Sequence, residues 1–220
     1  MKNKFPVAEI FDSIDGEGKR TGLMATFVRF AGCNLRCTYC DTAYALREED
    51  AAERLTEDEL LARIRAYPWR RVTLTGGEPL LQPIRHLCGT LGEDGYECNI
   101  ETNGAVPLFA ERPPRLFYTM DWKSPGSGMA AAMREDNILL LDRRDVVKFV
   151  VGSRQDLLAM ERAVRRWFAG PDAPRVYVSP VFGAIEPRAL VEFVRGRRLA
   201  DVTVQVQLHK VIWPPDMRGV

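Results

Sequence analysis

Val146-Val147-Lys148-Phe149-Val150-Val151, followed by Ser153-Arg154-Gln155-Asp156 and then Leu157, Met160, Ala163, Val164 and Trp167, decides the fold. The first six residues form a nearly continuous run of β-branched and aromatic side chains, as expected of a strand buried on both faces of a parallel sheet. Ser153 has the character of a helix N-cap, and the apolar positions after it recur at helical spacing. The same alternation runs along the chain. Strands are expected at 7–14, 25–30, 72–75, 97–102, 116–120, 146–151, 176–179 and 202–208. Helices are expected where Thr56-Glu57-Asp58-Glu59 makes a capping box before Leu60, Leu61 and Ile64, and where Pro187 sits in a first turn before Leu190, Val191 and Val194. Strands alternating with helices imply βαβ units. A closed eight-fold barrel takes about 250 residues. This chain has 220 and gives some of them to an extra N-terminal strand and a proline-containing tail. The expected fold class is therefore α/β, a partial (incomplete) β/α barrel, with an open doubly wound sheet as the alternative.

Residues 1–220 read as one domain with an irregular tail at about 211–220, because no linker, repeat or low-complexity tract interrupts the pattern. With 46% hydrophobic and 28% charged residues, the chain is an ordinary soluble globular protein rather than a disordered or fibrous one. Lys+Arg 31 against Asp+Glu 30 leaves a net charge of +1, so no overall field draws it to nucleic acid or anionic lipid. No apolar run is long enough to span a membrane, and the N-terminus lacks a signal peptide's apolar segment, so the expected location is cytoplasmic. Five cysteines, three of them between 33 and 40, fit metal ligation in a reducing compartment better than a disulfide framework.

Gly32-Cys33-Asn34-Leu35-Arg36-Cys37-Thr38-Tyr39-Cys40-Asp41-Thr42 places three thiolates on one loop directly after an expected strand. Iron-sulfur clusters are held by cysteines at such spacings, and a four-iron cluster with three protein ligands leaves one iron open. Zinc is the competing reading: a structural site would draw its fourth ligand from distant His86, His209, Cys88 or Cys98, and a catalytic one would join the three cysteines with water. Cys88 and Cys98 fall in apolar patterns and read as core thiols, and His86 reads as helix surface. A second motif, Thr73-Leu74-Thr75-Gly76-Gly77-Glu78-Pro79, ends an expected strand in a turn. Its glycines let backbone approach a ligand closely, and Glu78 offers an acceptor for a cationic amine.

The cysteine triplet with its Tyr39, together with the Gly-Gly-Glu turn, resembles the radical S-adenosylmethionine superfamily. Within it, Glu9-Ile10-Phe11-Asp12-Ser13-Ile14-Asp15-Gly16-Glu17-Gly18, Phe27-Val28-Arg29-Phe30-Ala31-Gly32, Cys40-Asp41-Thr42, Glu101-Thr102-Asn103-Gly104, Ser124-Pro125 and Gln207-Leu208-His209-Lys210 resemble the 7-carboxy-7-deazaguanine synthases. The resemblance spans nearly the whole chain. It implies a lyase that contracts the ring of 6-carboxy-5,6,7,8-tetrahydropterin to 7-carboxy-7-deazaguanine with loss of ammonia, in queuosine biosynthesis, a tRNA modification pathway. It implies that Cys33, Cys37 and Cys40 hold a 4Fe-4S cluster. Tyr39, Asp41, Gly77, Glu78, Ser124 and Ser179 would hold S-adenosylmethionine. Ile14, Asp15, Gly16, Arg29 and Thr75 would contact the pterin, and Thr42 would ligate Mg²⁺. A guanidinium such as that of Arg29 suits a carboxylate, and a hydroxyl with waters suits a hard octahedral cation. The resemblance further implies a homodimer and an electron donor such as flavodoxin or ferredoxin, with no nucleic-acid or membrane partner.

Asp15 stands where the family more often carries glutamine, and an ionised carboxylate can only accept hydrogen bonds. Lys123-Ser124-Pro125-Gly126 replaces the commoner Ser-Pro-Lys, which shifts a lysine contact toward Lys123. In related enzymes the chain terminus reaches the substrate. Glu101 either faces the barrel mouth or caps a strand, and His209, at the end of the last expected strand, is placed for substrate contact. A glycyl-radical activating enzyme shares the cysteine triplet and the Gly-Gly-Glu turn, and a non-catalytic iron-sulfur protein remains the alternative of a different class.

Overall fold

In the computed structural model, residues 4–220 are described. Nine strands form one sheet: β1 (Phe5–Ile14), β2 (Met24–Phe30), β3 (Glu53–Leu55), β4 (Arg71–Gly76), β5 (Glu97–Thr102), β6 (Leu116–Asp121), β7 (Val146–Val151), β8 (Arg175–Pro180) and β9 (Val202–Val204). Their order is β3-β1-β2-β4-β5-β6-β7-β8-β9. β1 runs antiparallel to both β2 and β3, whereas β2 and β4 through β9 are parallel. The sheet does not close, so the expected partial barrel is what forms.

The helices are α1 (Glu57–Arg65), α2 (Arg85–Glu93), α3 (Arg154–Trp167), α4 (Pro187–Arg197) and the short α5 (His209–Ile212). Thr56 caps α1 as a full capping box with Glu59, Ser153 accepts from Asp156 N at the start of α3, and Pro187 opens α4. Leu60, Leu61 and Ile64 of α1 and Leu87 and Leu91 of α2 pack on Val72, Leu74, Cys98, Ile100 and Tyr118. Leu157, Met160 and Val164 of α3 and Leu190 of α4 pack on Val147, Phe149, Val151, Val176 and Val178. Each such side chain contributes on the order of 2 kcal/mol by leaving water.

The opposite face of the sheet differs from the expectation. Thr73, Thr75, Asn99, Glu101, Thr119, Asp121 and Lys148 alternate with the core residues and face the concave side, where a polar cavity lies. Lys148 in the middle of Val146–Val151 is the mark of this second face. Two further expectations change. The strand expected at 202–208 ends at Val204, because the Gln205 side chain turns to accept from Gly18 N at 2.8 Å and to donate to Thr21 Oγ1 at 2.7 Å. The β5–β6 and β6–β7 connections carry no α-helix, and the second runs through short 3₁₀ turns at Pro125–Ser127, Ala130–Ala132 and Glu135–Leu140.

Candidate active site

The ends of β2 and β4 meet without room for a side chain. A Cβ on Gly76, which has φ +119°, would lie 2.2 Å from Phe30 O, and one on Gly77 would lie 2.0 Å from Gly32 O. Gly77 N donates to Phe30 O at 2.9 Å and Glu78 N to Gly32 O at 2.8 Å. The paired glycines thus let the turn after β4 lie directly against the start of the cysteine loop, a close approach of backbone to backbone.

That loop turns Cys33, Cys37 and Cys40 onto one cavity of about 270 Å³ at the C-terminal ends of the parallel strands. All three are half-buried free thiols, and Cys88 and Cys98 are buried in the core away from them. Burial raises the Cys37 and Cys40 thiols above the ordinary value, so ligation would release their protons. Leu35 N and Asn103 Nδ2 donate to Cys33 Sγ at 3.4 and 3.6 Å, the kind of contact that supports a cluster ligand. Among the described residues no three His, Cys, Asp or Glu side chains converge on a single metal ion. Three thiols around one cavity are the donor set that a four-iron cluster with one open iron uses.

Arg29, Thr42 and Thr75 join the cysteines on the wall, with Ile14, Gly16, Tyr39, Asp41 and Gly77. Arg29 Nε donates to Glu9 Oε1 at 2.6 Å, which also accepts from Tyr44 Oη, and Arg29 Nη1 reaches Thr42 Oγ1 at 3.4 Å. Thr42 in turn donates to Asp41 Oδ1 at 3.0 Å, and Asp41 Oδ2 accepts from Lys210 Nζ at 3.0 Å. Burial raises the Asp41 carboxyl, but Lys210, the Thr42 hydroxyl and Lys148 together outweigh it and hold the group below the usual range. Thr75 Oγ1 donates to Glu101 Oε2 at 2.8 Å, which places Glu101 at the barrel mouth. Tyr39 donates to Val150 O, and burial pushes its phenol up to about 12.

A charged floor escaped the sequence reading. Lys148 lies 3.0 Å from Glu17 and 3.5 Å from Asp121, while Lys123 lies 2.9 Å from Asp121. Burial works against every charge here, yet the pairing prevails: Glu17 and Asp121 are lowered, and Lys123 and Lys148 raised. Two cations and two anions stay ionised and balance one another. The lysine within an apolar run was the available signal. His209 also lines the cavity, from the start of α5 rather than from a strand, and burial lowers its pKa. Residues of the tail, among them Asp216, Arg218 and Val220, close the same cavity, and the Arg218 guanidinium sits 3.8 Å from the centre of the Tyr44 ring.

Four expected site residues stand behind the wall. Glu78 is fully buried, accepting from Thr102 Oγ1 at 2.9 Å, Asn103 N at 2.7 Å and Leu80 N at 3.0 Å. These bonds join the end of β4 to the end of β5, and burial raises the carboxyl to about 7. Asp15 turns inward to Arg20 at 2.8 Å and Thr73 at 2.9 Å. Ser179 donates to Glu17 at 2.5 Å. Ser124 Oγ is buried with no protein partner, behind the neighbouring Lys123, which does reach the wall.

A profile of the radical SAM superfamily matches residues 27–117. The 7-carboxy-7-deazaguanine synthase of Clostridium acetobutylicum is 43% identical over 98% of this chain and 99% of its own length. The enzyme of the same name from Chlorobaculum tepidum is 38% identical over 97% of this chain and 96% of its own. The crystal structure of QueE from Escherichia coli has the same fold, with a TM-score of 0.75, 24% identity and coverage of 94% of this chain and 95% of that one. With identity this high over almost the full length, the chain belongs to the 7-carboxy-7-deazaguanine synthase family of the radical SAM superfamily.

Proposed function

We propose that the chain, acting as one catalytic unit, converts 6-carboxy-5,6,7,8-tetrahydropterin to 7-carboxy-7-deazaguanine with loss of ammonia, the ring contraction that serves queuosine biosynthesis. The observation that carries this reading is that Cys33, Cys37 and Cys40 share one cavity with Arg29, Thr75, Glu101 and His209 at the C-terminal ends of the parallel strands, where α/β enzymes bind ligands. Cys33, Cys37 and Cys40 would hold the 4Fe-4S cluster. Tyr39, Asp41 and Gly77 would hold S-adenosylmethionine, with Glu78 bracing the turn and Ser124 standing behind them. Bound there, the two cofactors would supply radical chemistry for hydrogen abstraction, with the electron drawn from an external reductant.

The remaining work belongs to the chain's own side chains. Arg29, with Nε engaged by Glu9 and Nη1 reaching Thr42 Oγ1, turns Nη2 to the substrate carboxylate. Thr42 offers a hydroxyl oxygen to Mg²⁺. Ile14, Gly16 and Thr75 shape the pterin pocket, and the tail limits access of water. All five cysteines are free, which suits a reducing cytoplasm. Among the described residues no helix is long and apolar enough to cross a membrane. A flavodoxin or ferredoxin would deliver the electron to a homodimer.

Anaerobic incubation of the reconstituted protein with S-adenosylmethionine, reductant, Mg²⁺ and the carboxytetrahydropterin, read by mass spectrometry, tests this. The expected outcome is 7-carboxy-7-deazaguanine together with 5′-deoxyadenosine, both lost in Cys37→Ala. Formation of 5′-deoxyadenosine without the deazaguanine would refute the substrate, and absence of both at full iron content would refute the activity.

A further inference from the structure

The segment 14–20 crosses under the cavity, and only its Ile14, Gly16 and Glu17 reach the wall. Beneath them lies a buried pair: Asp15 is 2% exposed, Arg20 is 4% exposed, and Arg20 Nε is 2.8 Å from Asp15 Oδ2. Arg20 also donates to Glu97 O at 3.3 Å, Val72 O at 3.5 Å and the Thr73 hydroxyl, which itself donates to Asp15 Oδ1 at 2.9 Å. The guanidinium is thereby fastened to the first residues of β4 and β5 and holds Asp15 to them. Asp15 is fixed through its main chain too, its N donating to Leu23 O at 2.9 Å and its O accepting from Gly22 N at 2.8 Å.

The next residue passes this constraint upward. Gly16 O accepts from Leu208 N at 3.0 Å, and a Cβ on Gly16 would lie 2.0 Å from His209 Nδ1. The imidazole therefore rests directly on the Gly16 backbone, and a displacement of that backbone must displace the ring. Removing one member of a buried ion pair is strongly destabilising, and without Arg20 the Asp15 side chain loses the group that fastens it to β4 and β5.

We infer that Arg20 is a positioning residue for substrate binding: its buried ion pair with Asp15 fixes Gly16, and Gly16 fixes the His209 imidazole on the cavity wall. The inference rests on the proposed function for the identity of the substrate, but the placement of His209 is testable without it. Arg20→Gln, Asp15→Asn and the double variant, which is neutral at both positions, are compared with the wild type, all carrying reconstituted cluster and S-adenosylmethionine without reductant. Equilibrium dialysis measures affinity for 6-carboxy-5,6,7,8-tetrahydropterin and, separately, for S-adenosylmethionine. Histidine-selective ¹⁵N NMR reports His209, with His86, the chain's other histidine, as an internal control.

Arg20→Gln is expected to weaken pterin binding by about tenfold and to move the His209 signals, while S-adenosylmethionine affinity and the His86 signals stay put. The double variant is expected to recover most of the loss. Unchanged pterin affinity and unchanged His209 signals in folded Arg20→Gln would overturn the inference, as would equal loss of both ligands. Failure of the wild type to bind the pterin would overturn the functional reading instead, and the His209 signals would still decide the positioning role. Should Arg20→Gln fail to fold, Arg20→Lys, which keeps the charge but not the fork, decides by the same readouts.

Discussion

The Glu78 carboxylate has no exposed surface and accepts hydrogen bonds from Thr102, Asn103 and Leu80. Burial outweighs those donors and raises its pKa from 4.5 to about 7. A carboxyl raised on folding stabilises the fold fully below its unfolded pKa and loses that contribution as pH rises through the folded value. Between pH 4.5 and 7 the loss amounts to about 3 kcal/mol. Glu78→Gln cannot ionise, but it sets an amide N–H₂ against one of the backbone donors. We therefore expect this variant to be less stable than the wild type at pH 5 and to close most of that gap by pH 8, as read by denaturant unfolding at both values. A gap independent of pH would show that Glu78 keeps its ordinary pKa. The residues that reach the wall, Cys33, Arg29, Thr42 and Thr75, were legible because each belongs to a motif whose chemistry needs an exposed functional atom. Asp15 and Ser179 were not, because the direction of each side chain is set by a partner far along the chain, Arg20 or Thr73 for the first and Glu17 for the second.

Asp156, near the start of α3, joins three elements. Its buried carboxylate accepts from Gly126 N at 2.7 Å and Gly152 N at 3.0 Å, while its own N donates to the Ser153 hydroxyl. The turn containing Gly126 supports the cysteine loop in turn, since Thr38 donates to Gly126 O through Oγ1 and to Ser127 O through N. Asp156→Ala strips two part-buried backbone donors of a charged acceptor, at a cost of about 2 kcal/mol. We expect that loss in chemical denaturation, together with lower iron retention on reconstitution, because Cys37 precedes Thr38. Full iron content in a destabilised variant would confine the role of Asp156 to the helix cap. At this scale the helices announced themselves through caps and first-turn residues. β3 did not, since Glu53-Arg54-Leu55 is too short to carry a period, and it exists because β1 offers an edge to pair with. The 202–208 strand was overextended because an alternating apolar run does not reveal that Gln205 is drawn toward Gly18.

Across the whole molecule, the open sheet places apolar side chains against the helices and polar ones toward the cavity, and its two antiparallel strands carry the segment that underlies the site. The alternation that created the polar floor was present in Val146–Val151 as one lysine, but a lone charge in an apolar run does not say whether it faces solvent, a partner or a ligand. Its meaning came only from Glu17 and Asp121, which the fold brings beside it. The open side of the same arrangement is closed by the end of the chain. Pro215, Asp216, Met217, Arg218, Gly219 and Val220 all line the cavity, yet five of the six are exposed and pack on no core. Arg218 over Tyr44 ties this cover to the group that also holds Glu9 and, through it, Arg29. A chain ending at Pro214 is therefore expected to keep its melting temperature and iron content, since no buried apolar surface is removed. Its affinity for the carboxytetrahydropterin is expected to fall by about tenfold, because one wall of the cavity is gone and Tyr44 loses a cation at its face. Unchanged affinity in dialysis would show that the tail covers the site without contributing to binding, whereas a large drop in melting temperature would show that it holds the fold itself.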